Sequence, residues 1–190
     1  MKRNAAVLSI VMALVVASMV AADEPERIGR VRFAVSCLPA VQKPFERAVA
    51  LLHSFWYLEA SKAFTQIAQA DPDCAMAYWG LAMTNWTQIW SPPPAAALKR
   101  GGEAVDRAKA AGAQTPRERD FVAAAEAFFK DADRIDHRPR ALAYGRAMAE
   151  MAQRYSQDIE VLAFYALSLQ ATADPKDKTY ANQKRSAEIA

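Results

Sequence analysis

The sequence predicts an all-α fold, a solenoid of about seven or eight helices paired into hairpins. Hydrophobic residues make up 53% of the 190 residues, alanine is common among them, and only 6 residues are glycine. This composition favours closely packed helices over sheets. Apolar residues also recur at helical spacing, and prolines and capping residues separate the periodic stretches. The chain is long enough for one domain with a sizeable core.

The first 22 residues are predicted to be a secretory signal peptide (1–22) and not part of the fold. Lys2 and Arg3 form a basic start, residues 5–20 form an uncharged apolar run, and small residues at 20–22 suit a cleavage site. The alternative is an uncleaved N-terminal anchor. No later segment suits a membrane span. We therefore expect an exported protein, periplasmic or secreted, with no membrane partner after cleavage.

Charge is spread evenly along the chain. Lys and Arg total 24 and Asp and Glu total 21, without any basic block. Loss of the signal peptide would remove two basic residues and leave the mature chain close to neutral. This distribution gives no support to nucleic-acid binding.

A leader segment at 23–40 precedes the helical region, and part of it (27–36) is expected to lie extended against the first helix. The α-solenoid is predicted to span 41–190. Its first unit is 41–74, diverged units follow at about 75–118 and 119–161, and an incomplete last unit is 162–190.

The first two helices are predicted at about 41–54 and 57–70. Asp71 is expected to be the N-cap of the next helix, with Pro72 at its first position, where the missing N–H costs nothing. This third helix is expected to run from about 74 to 88. The prolines at 92–94 cannot continue it.

Five later helices complete the prediction. The fourth is expected to end near Ala111, and the fifth to run to about Lys130. Thr115 and Glu118 suit a capping box at the start of the fifth helix. The sixth is expected at about 139–155 and the seventh at 159–172. The last begins at about Lys178.

The first unit resembles the tetratricopeptide repeat (TPR), a helix–turn–helix unit of 34 residues. The stretches ALLHSFWYLEA and DPDCAMAYWGLAMT are similar to exported bacterial TPR proteins, which are usually much longer. The resemblance implies an N-terminal part of a longer family. The residues assigned to packing within and between repeats are Ala48, Leu51, Ala60, Phe64, Ile67, Pro72, Tyr78, Leu81 and Ala82.

The resemblance also implies that the first helix of each unit lines a concave groove. The groove positions hold apolar residues, namely Phe45, Val49, Leu52, Met76, Trp79, Met83 and Trp86. Such residues suit a protein or peptide partner with apolar anchors. They do not provide the Lys and Asn clamp of chaperone-binding TPRs. The alternative is that the leader, the insert at 86–94 or further repeats cover these residues.

Cys37 and Cys74 both lie in the exported part, where two cysteines suggest one disulfide. In a TPR stack the segments that carry them would be neighbours. The alternative is two independently buried thiols.

No catalytic, phosphate-binding or metal-ligand motif occurs, so no enzyme activity, cofactor or metal is expected. His53 is interpreted as a packing or hydrogen-bonding residue, and His137 as a solvated loop residue. Glu118, Asp120, Glu126 and Glu150 are interpreted as surface residues that mostly pair with an Arg or Lys three or four residues away.

The sequence therefore predicts a non-enzymatic protein–protein interaction scaffold in the cell envelope, because helical solenoids present extended surfaces. One alternative is the helical N-terminal part of a longer protein that binds a small ligand or metal. The other is that such a longer protein carries an enzyme activity in a C-terminal region.

Overall fold

The structure is a computed structural model that describes residues 28–87 and 89–189. The predicted signal peptide and the start of the leader lie outside these ranges. In the described part, a 3-10 turn at Pro39–Val41 precedes eight α-helices. They are α1 Gln42–His53, α2 Tyr57–Ala70, α3 Ala75–Met83, α4 Ala95–Ala111, α5 Pro116–Phe129, α6 His137–Arg154, α7 Ile159–Thr172 and α8 Ala181–Ile189. None of the described helices is long and apolar enough to cross a membrane.

Each helix packs on the next along the chain, and α3 also packs on α1 and α5. The even-numbered helices α2, α4 and α6 therefore each contact the two odd-numbered helices that flank them in sequence. The odd-numbered helices form an inner row. This arrangement is solenoid-like, and it confirms the prediction of an all-α fold with about seven or eight helices.

The core of the first hairpins consists of the apolar stripe that the sequence predicts. Ala48, Leu51, Ala60, Phe64, Ile67 and Ala82 are all buried. Tyr78 and Leu81 are only half-buried, and Pro72 is exposed in a turn. Helices α2 and α3 approach closely because Gly80 has no side chain: a Cβ there would overlap the ring of Phe64.

One predicted helix cap and one predicted helix start are wrong. Asp71 does not cap α3; it ends α2, and its carboxylate accepts a hydrogen bond from the Leu38 N–H at 2.7 Å. Helix α3 begins at Ala75 after a turn that contains Pro72. Helix α8 begins later than predicted, because the Asp177 carboxylate caps the N–H of Ala181 at 3.0 Å.

Helix α3 also ends earlier than predicted, at Met83 instead of about residue 88. The Thr84 hydroxyl and the Asn85 amide both donate to the Leu81 carbonyl oxygen, at 2.8 Å each. Short polar side chains that bond to nearby carbonyls compete with helix continuation. The chain therefore turns here and reaches α4 through the prolines.

The capping box at the start of α5 is confirmed. The Thr115 hydroxyl accepts the Glu118 N–H, and the Glu118 carboxylate accepts the Thr115 N–H. This reciprocal pair satisfies two N–H groups that an α-helix otherwise leaves unbonded at its start.

Candidate functional site

An aromatic cluster lies at the centre of the inner row, and Phe33 of the leader is part of it. The Phe33 ring centroid is 5.3 Å from that of Phe45 on α1, 5.6 Å from Trp79 on α3 and 5.0 Å from Phe121 on α5. Phe164 on α7 closes the cluster at 5.3 Å from Trp79. Four inner helices thus each contribute one ring to this cluster.

The predicted apolar groove is therefore not open. All seven of its positions are between 0% and 6% exposed. The leader covers Phe45 and Trp79, while Trp86 stacks on Phe128 of α5 with ring centroids 3.6 Å apart. The prediction that these seven residues form a partner groove is wrong, because neighbouring helices and the leader bury them. The alternative stated above, that they are covered from within the chain, is confirmed.

The leader is extended, and its side chains alternate between core and solvent. Val31, Phe33 and Val35 pack on the core, whereas Arg32 and Ala34 are exposed. Its backbone bonds to the Gln42 side chain on α1, which donates to the Phe33 carbonyl at 2.9 Å and accepts the Val35 N–H at 3.2 Å. The Gln42 side chain thus makes the hydrogen bonds to this extended segment that a neighbouring β-strand would otherwise make.

A disulfide between Cys37 and Cys74 joins the end of the leader to the start of α3, which confirms the predicted pair. It closes a loop across a sequence separation of 37 residues. In the chain-entropy account such a loop stabilises the fold by about 4 kcal/mol. Cys37, Asp71 and Cys74 are the one group in the described part whose ligand atoms could hold a metal ion, but the two sulfurs are bonded to each other.

Glu118 is a second attachment point for the leader, and its assignment as a surface residue is wrong. It is 1% exposed, and it accepts hydrogen bonds from the backbone N–H and the hydroxyl of Ser36. Burial opposes ionisation of Glu118, but the hydrogen bonds from Ser36 and Thr115 outweigh it and hold the pKa below its usual value. A buried carboxylate therefore stays charged because three hydrogen-bond donors surround it.

Two further carboxylates form hydrogen bonds with residues in or directly after a neighbouring helix and not with residues of their own helix. Asp120 on α5 accepts from Arg154 and, at 2.7 Å, from the Tyr155 hydroxyl. Glu126 accepts from Lys109 of α4 at 2.6 Å. The expectation of partners three or four residues away is wrong for both, because adjacent helices bring more distant residues closer.

The two histidines differ. His53 is a hydrogen-bonding residue as predicted, with Nε2 2.8 Å from a Glu160 oxygen, so it links the end of α1 to α7. His137 is not solvated: it is half-buried and packs edge-on to Trp86 and Phe128. Burial, and then the charge of Arg140, lower the pKa of His137. His53 is therefore accounted for by its bond to Glu160, and His137 by its ring packing.

A cluster of exposed apolar residues lies where α1 joins α2. Phe55 and Trp56 are each 49% exposed and Leu58 is 69% exposed. We call these three residues the aromatic corner. Phe55 has a φ of 59°, in the left-handed region. The Trp56 N–H bonds to the Leu51 carbonyl and the Phe55 N–H to that of Leu52, each at 3.0 Å.

These two bonds are those of a Schellman motif, in which glycine is the preferred residue at the left-handed position. A left-handed backbone costs a residue with a Cβ about 1–2 kcal/mol. The chain thus places a half-exposed phenylalanine where glycine would be more stable. Strain of this kind clusters at functional positions.

An apolar groove lies beside the aromatic corner, between α7 and α8, with a volume of about 530 Å³. Its walls include Phe55, Leu162, Leu167 and Ile189. Ile159, at its edge, is 78% exposed. No lining residue is acidic, lysine or arginine. We call this the α7–α8 groove. Its chemistry suits an apolar side chain from a partner.

The sequence interpretation missed both Phe33 and the aromatic corner as sites. The alternation of Val31, Phe33 and Val35 was a usable signal for a segment with one buried face. For the aromatic corner, the sequence shows Phe55 and Trp56 shortly after the end of α1. Their exposure, however, depends on the left-handed turn at Phe55.

Comparisons with protein-family models, with curated proteins and with solved structures find no significant match to this chain.

Proposed function

We propose that this protein is a non-enzymatic, exported helical-repeat scaffold that binds another protein. The partner docks on the aromatic corner and inserts an apolar side chain into the adjoining α7–α8 groove. The observation that carries the proposal is the strained, half-exposed Phe55, because a purely structural C-terminal cap would favour glycine.

The aromatic corner and the α7–α8 groove together resemble the centre of a small protein–protein interface. Aromatic residues dominate binding energy at protein interfaces, and pockets beside them receive anchors from the partner. The partner expected from the sequence, a protein or peptide with apolar anchors, is retained in this proposal. Only its docking surface differs, since the inner row is filled by the leader.

The localisation of the protein is part of the same proposal. The signal-peptide pattern at residues 1–22 favours export. The Cys37–Cys74 disulfide is compatible with a periplasmic or extracellular protein, where thiols are oxidised. A TPR relationship is likewise part of this proposal, supported by the repeat spacing of 41–74.

The test compares envelope proteins retained by the immobilised wild-type chain, by Phe55→Gly and by Trp90→Gly. Trp90 is 64% exposed and does not line the groove, so it is a matched control for loss of an exposed aromatic ring. We expect one protein to be retained by wild type and by Trp90→Gly, and lost with Phe55→Gly. Equal retention by all three would refute the proposed docking surface.

A further inference from the structure

A second concavity lies between α2, α3 and α4, and Leu58 is part of its wall. Its volume is about 570 Å³, within the range of small-molecule sites. We call it the α2–α4 pocket. Its walls include Tyr57, Ser61, Tyr78, Leu81, Arg100 and Arg107.

One guanidinium of this pocket is held in place by a chain of hydrogen bonds. The Asn85 amide nitrogen donates to the Leu81 carbonyl oxygen at 2.8 Å, which fixes the amide orientation. The Asn85 amide oxygen then accepts from Arg100 Nε at 3.1 Å. The two terminal nitrogens of Arg100 make no hydrogen bond within the described residues. At the pocket wall, these two nitrogens are hydrogen-bond donors that have no acceptor within the described residues.

Arg107 lies two helical turns further along α4 on the same wall. It makes no hydrogen bond or ion pair with any described residue. The same holds for the hydroxyls of Tyr57 and Tyr78. The pocket is therefore rich in unpaired donors. The one carboxylate on its wall, Glu103, lies 3.9 Å from the ammonium of Lys99 and in no ion pair with either arginine.

The pocket also has apolar walls, beside the polar side chains of Ser61, Thr84 and Thr87. Leu58, Leu81 and Ala104 line it, together with the rings of Tyr57 and Tyr78. Burial raises the pKa of Tyr57, so its phenol remains a protonated donor at neutral pH. A site with apolar walls and a few convergent donors binds ligands that combine an apolar body with acceptor atoms.

We propose that the α2–α4 pocket binds a small organic oxyanion, with its carboxylate or phosphate between Arg100 and Arg107 and its apolar body against Tyr57 and Leu81. Guanidinium groups match the planar geometry of these oxyanions. This site shares Leu58 with the aromatic corner, but neither arginine lines the α7–α8 groove, so the proposed anion contacts do not depend on that groove.

The test is calorimetric titration of the full chain with 3-phenylpropanoate and with its neutral amide, 3-phenylpropanamide, which share the same apolar body. A ligand of this size is expected to bind with a Kd in the millimolar range. Loss of a charge-assisted hydrogen bond should weaken binding of the amide by about tenfold or more. Phenyl phosphate, titrated alongside, distinguishes the two oxyanions as the preferred group.

Three variants locate the site. Arg100→Gln and Arg107→Gln should each weaken anion binding by about tenfold, because each removes one charged donor. Arg138→Gln, which changes an exposed arginine on α6 outside the pocket, should leave it unchanged. Both pocket arginines are exposed, so the variants should fold, and circular dichroism checks this. Equal affinity for acid and amide, wild-type affinity in Arg107→Gln, or no binding of either anion would overturn the proposal.

Discussion

The Glu118 carboxylate on α5 accepts both the backbone N–H and the hydroxyl of Ser36, although 82 residues separate the two in sequence. The same carboxylate completes the capping box of α5. One buried charge therefore both starts a helix and holds the leader. Together with the disulfide, it keeps Phe33 in the centre of the inner row.

Replacing Glu118 with Gln removes the charge while retaining a side chain that can complete a capping box. We expect the free energy of unfolding to fall by roughly 1–3 kcal/mol, the range for charge-assisted hydrogen bonds to a buried group. Urea denaturation at neutral pH measures this loss. The matched control is Glu126→Gln, an inter-helix pair with Lys109 near the surface, which should change stability by less than about 1 kcal/mol. Equal losses would contradict the role given to Glu118.

Lowering the pH should weaken the attachment of the leader to Glu118. The pKa of Glu118 is below its usual value in the folded protein, so the unfolded chain binds a proton first as the pH falls. Its contribution to stability is present above the ordinary glutamate pKa and is lost as the pH falls through the folded-state pKa. Unfolding free energies of wild type and Glu118→Gln should therefore converge in acid. Curves that stay parallel down to low pH would show that Glu118 contributes no such term.

Phe33→Ala tests whether the leader is part of the core. Removal of a fully buried phenylalanine ring should cost roughly 3–5 kcal/mol. The near-ultraviolet circular dichroism of Trp79, whose ring lies 5.6 Å away, should weaken as well. The neighbouring exposed residue gives the control, since Ala34→Ser should stay within about 0.5 kcal/mol of wild type. A loss no larger for Phe33→Ala than for Ala34→Ser would mean that the leader is not packed in solution.

The sequence was sufficient for the fold class, because helical periodicity, prolines and capping residues are local signals. It also located α2 and α7 at their observed bounds and the capping box at Thr115. The disulfide pair followed from the presence of only two cysteines. The helices and the capping box depend on a few residues close in sequence, and two cysteines can form only one disulfide with each other.

The site could not be predicted in the same way. An aromatic stripe on an inner helix has the same spacing whether a partner, the leader or another helix covers it. Glu118 looked like a surface residue because its bond to Ser36 depends on tertiary structure. Likewise, the short polar residues after Met83 ended α3 through bonds to Leu81 that periodicity does not contain.

Phe55→Gly should make the protein more stable. Glycine adopts the left-handed backbone at this position without a steric penalty, so we expect a gain of roughly 0.5–1 kcal/mol after the loss of modest ring contacts. Thermal and urea unfolding measure the change. Trp56→Gly is the matched control, because Trp56 has a φ of −86° and gains nothing from glycine, so it should lose stability. A loss for Phe55→Gly as large as that for Trp56→Gly would show that Phe55 is a structural residue.

The most direct test of the proposed function is site-specific photo-crosslinking in cells that produce the full chain. Benzoylphenylalanine at position 55 keeps an aromatic ring at the aromatic corner, and the same residue at position 90 serves as the exposed control. We predict a discrete covalent adduct with one protein from position 55, absent from position 90. No adduct from position 55, or the same set of adducts from both positions, would contradict the account of this surface as a protein-docking site.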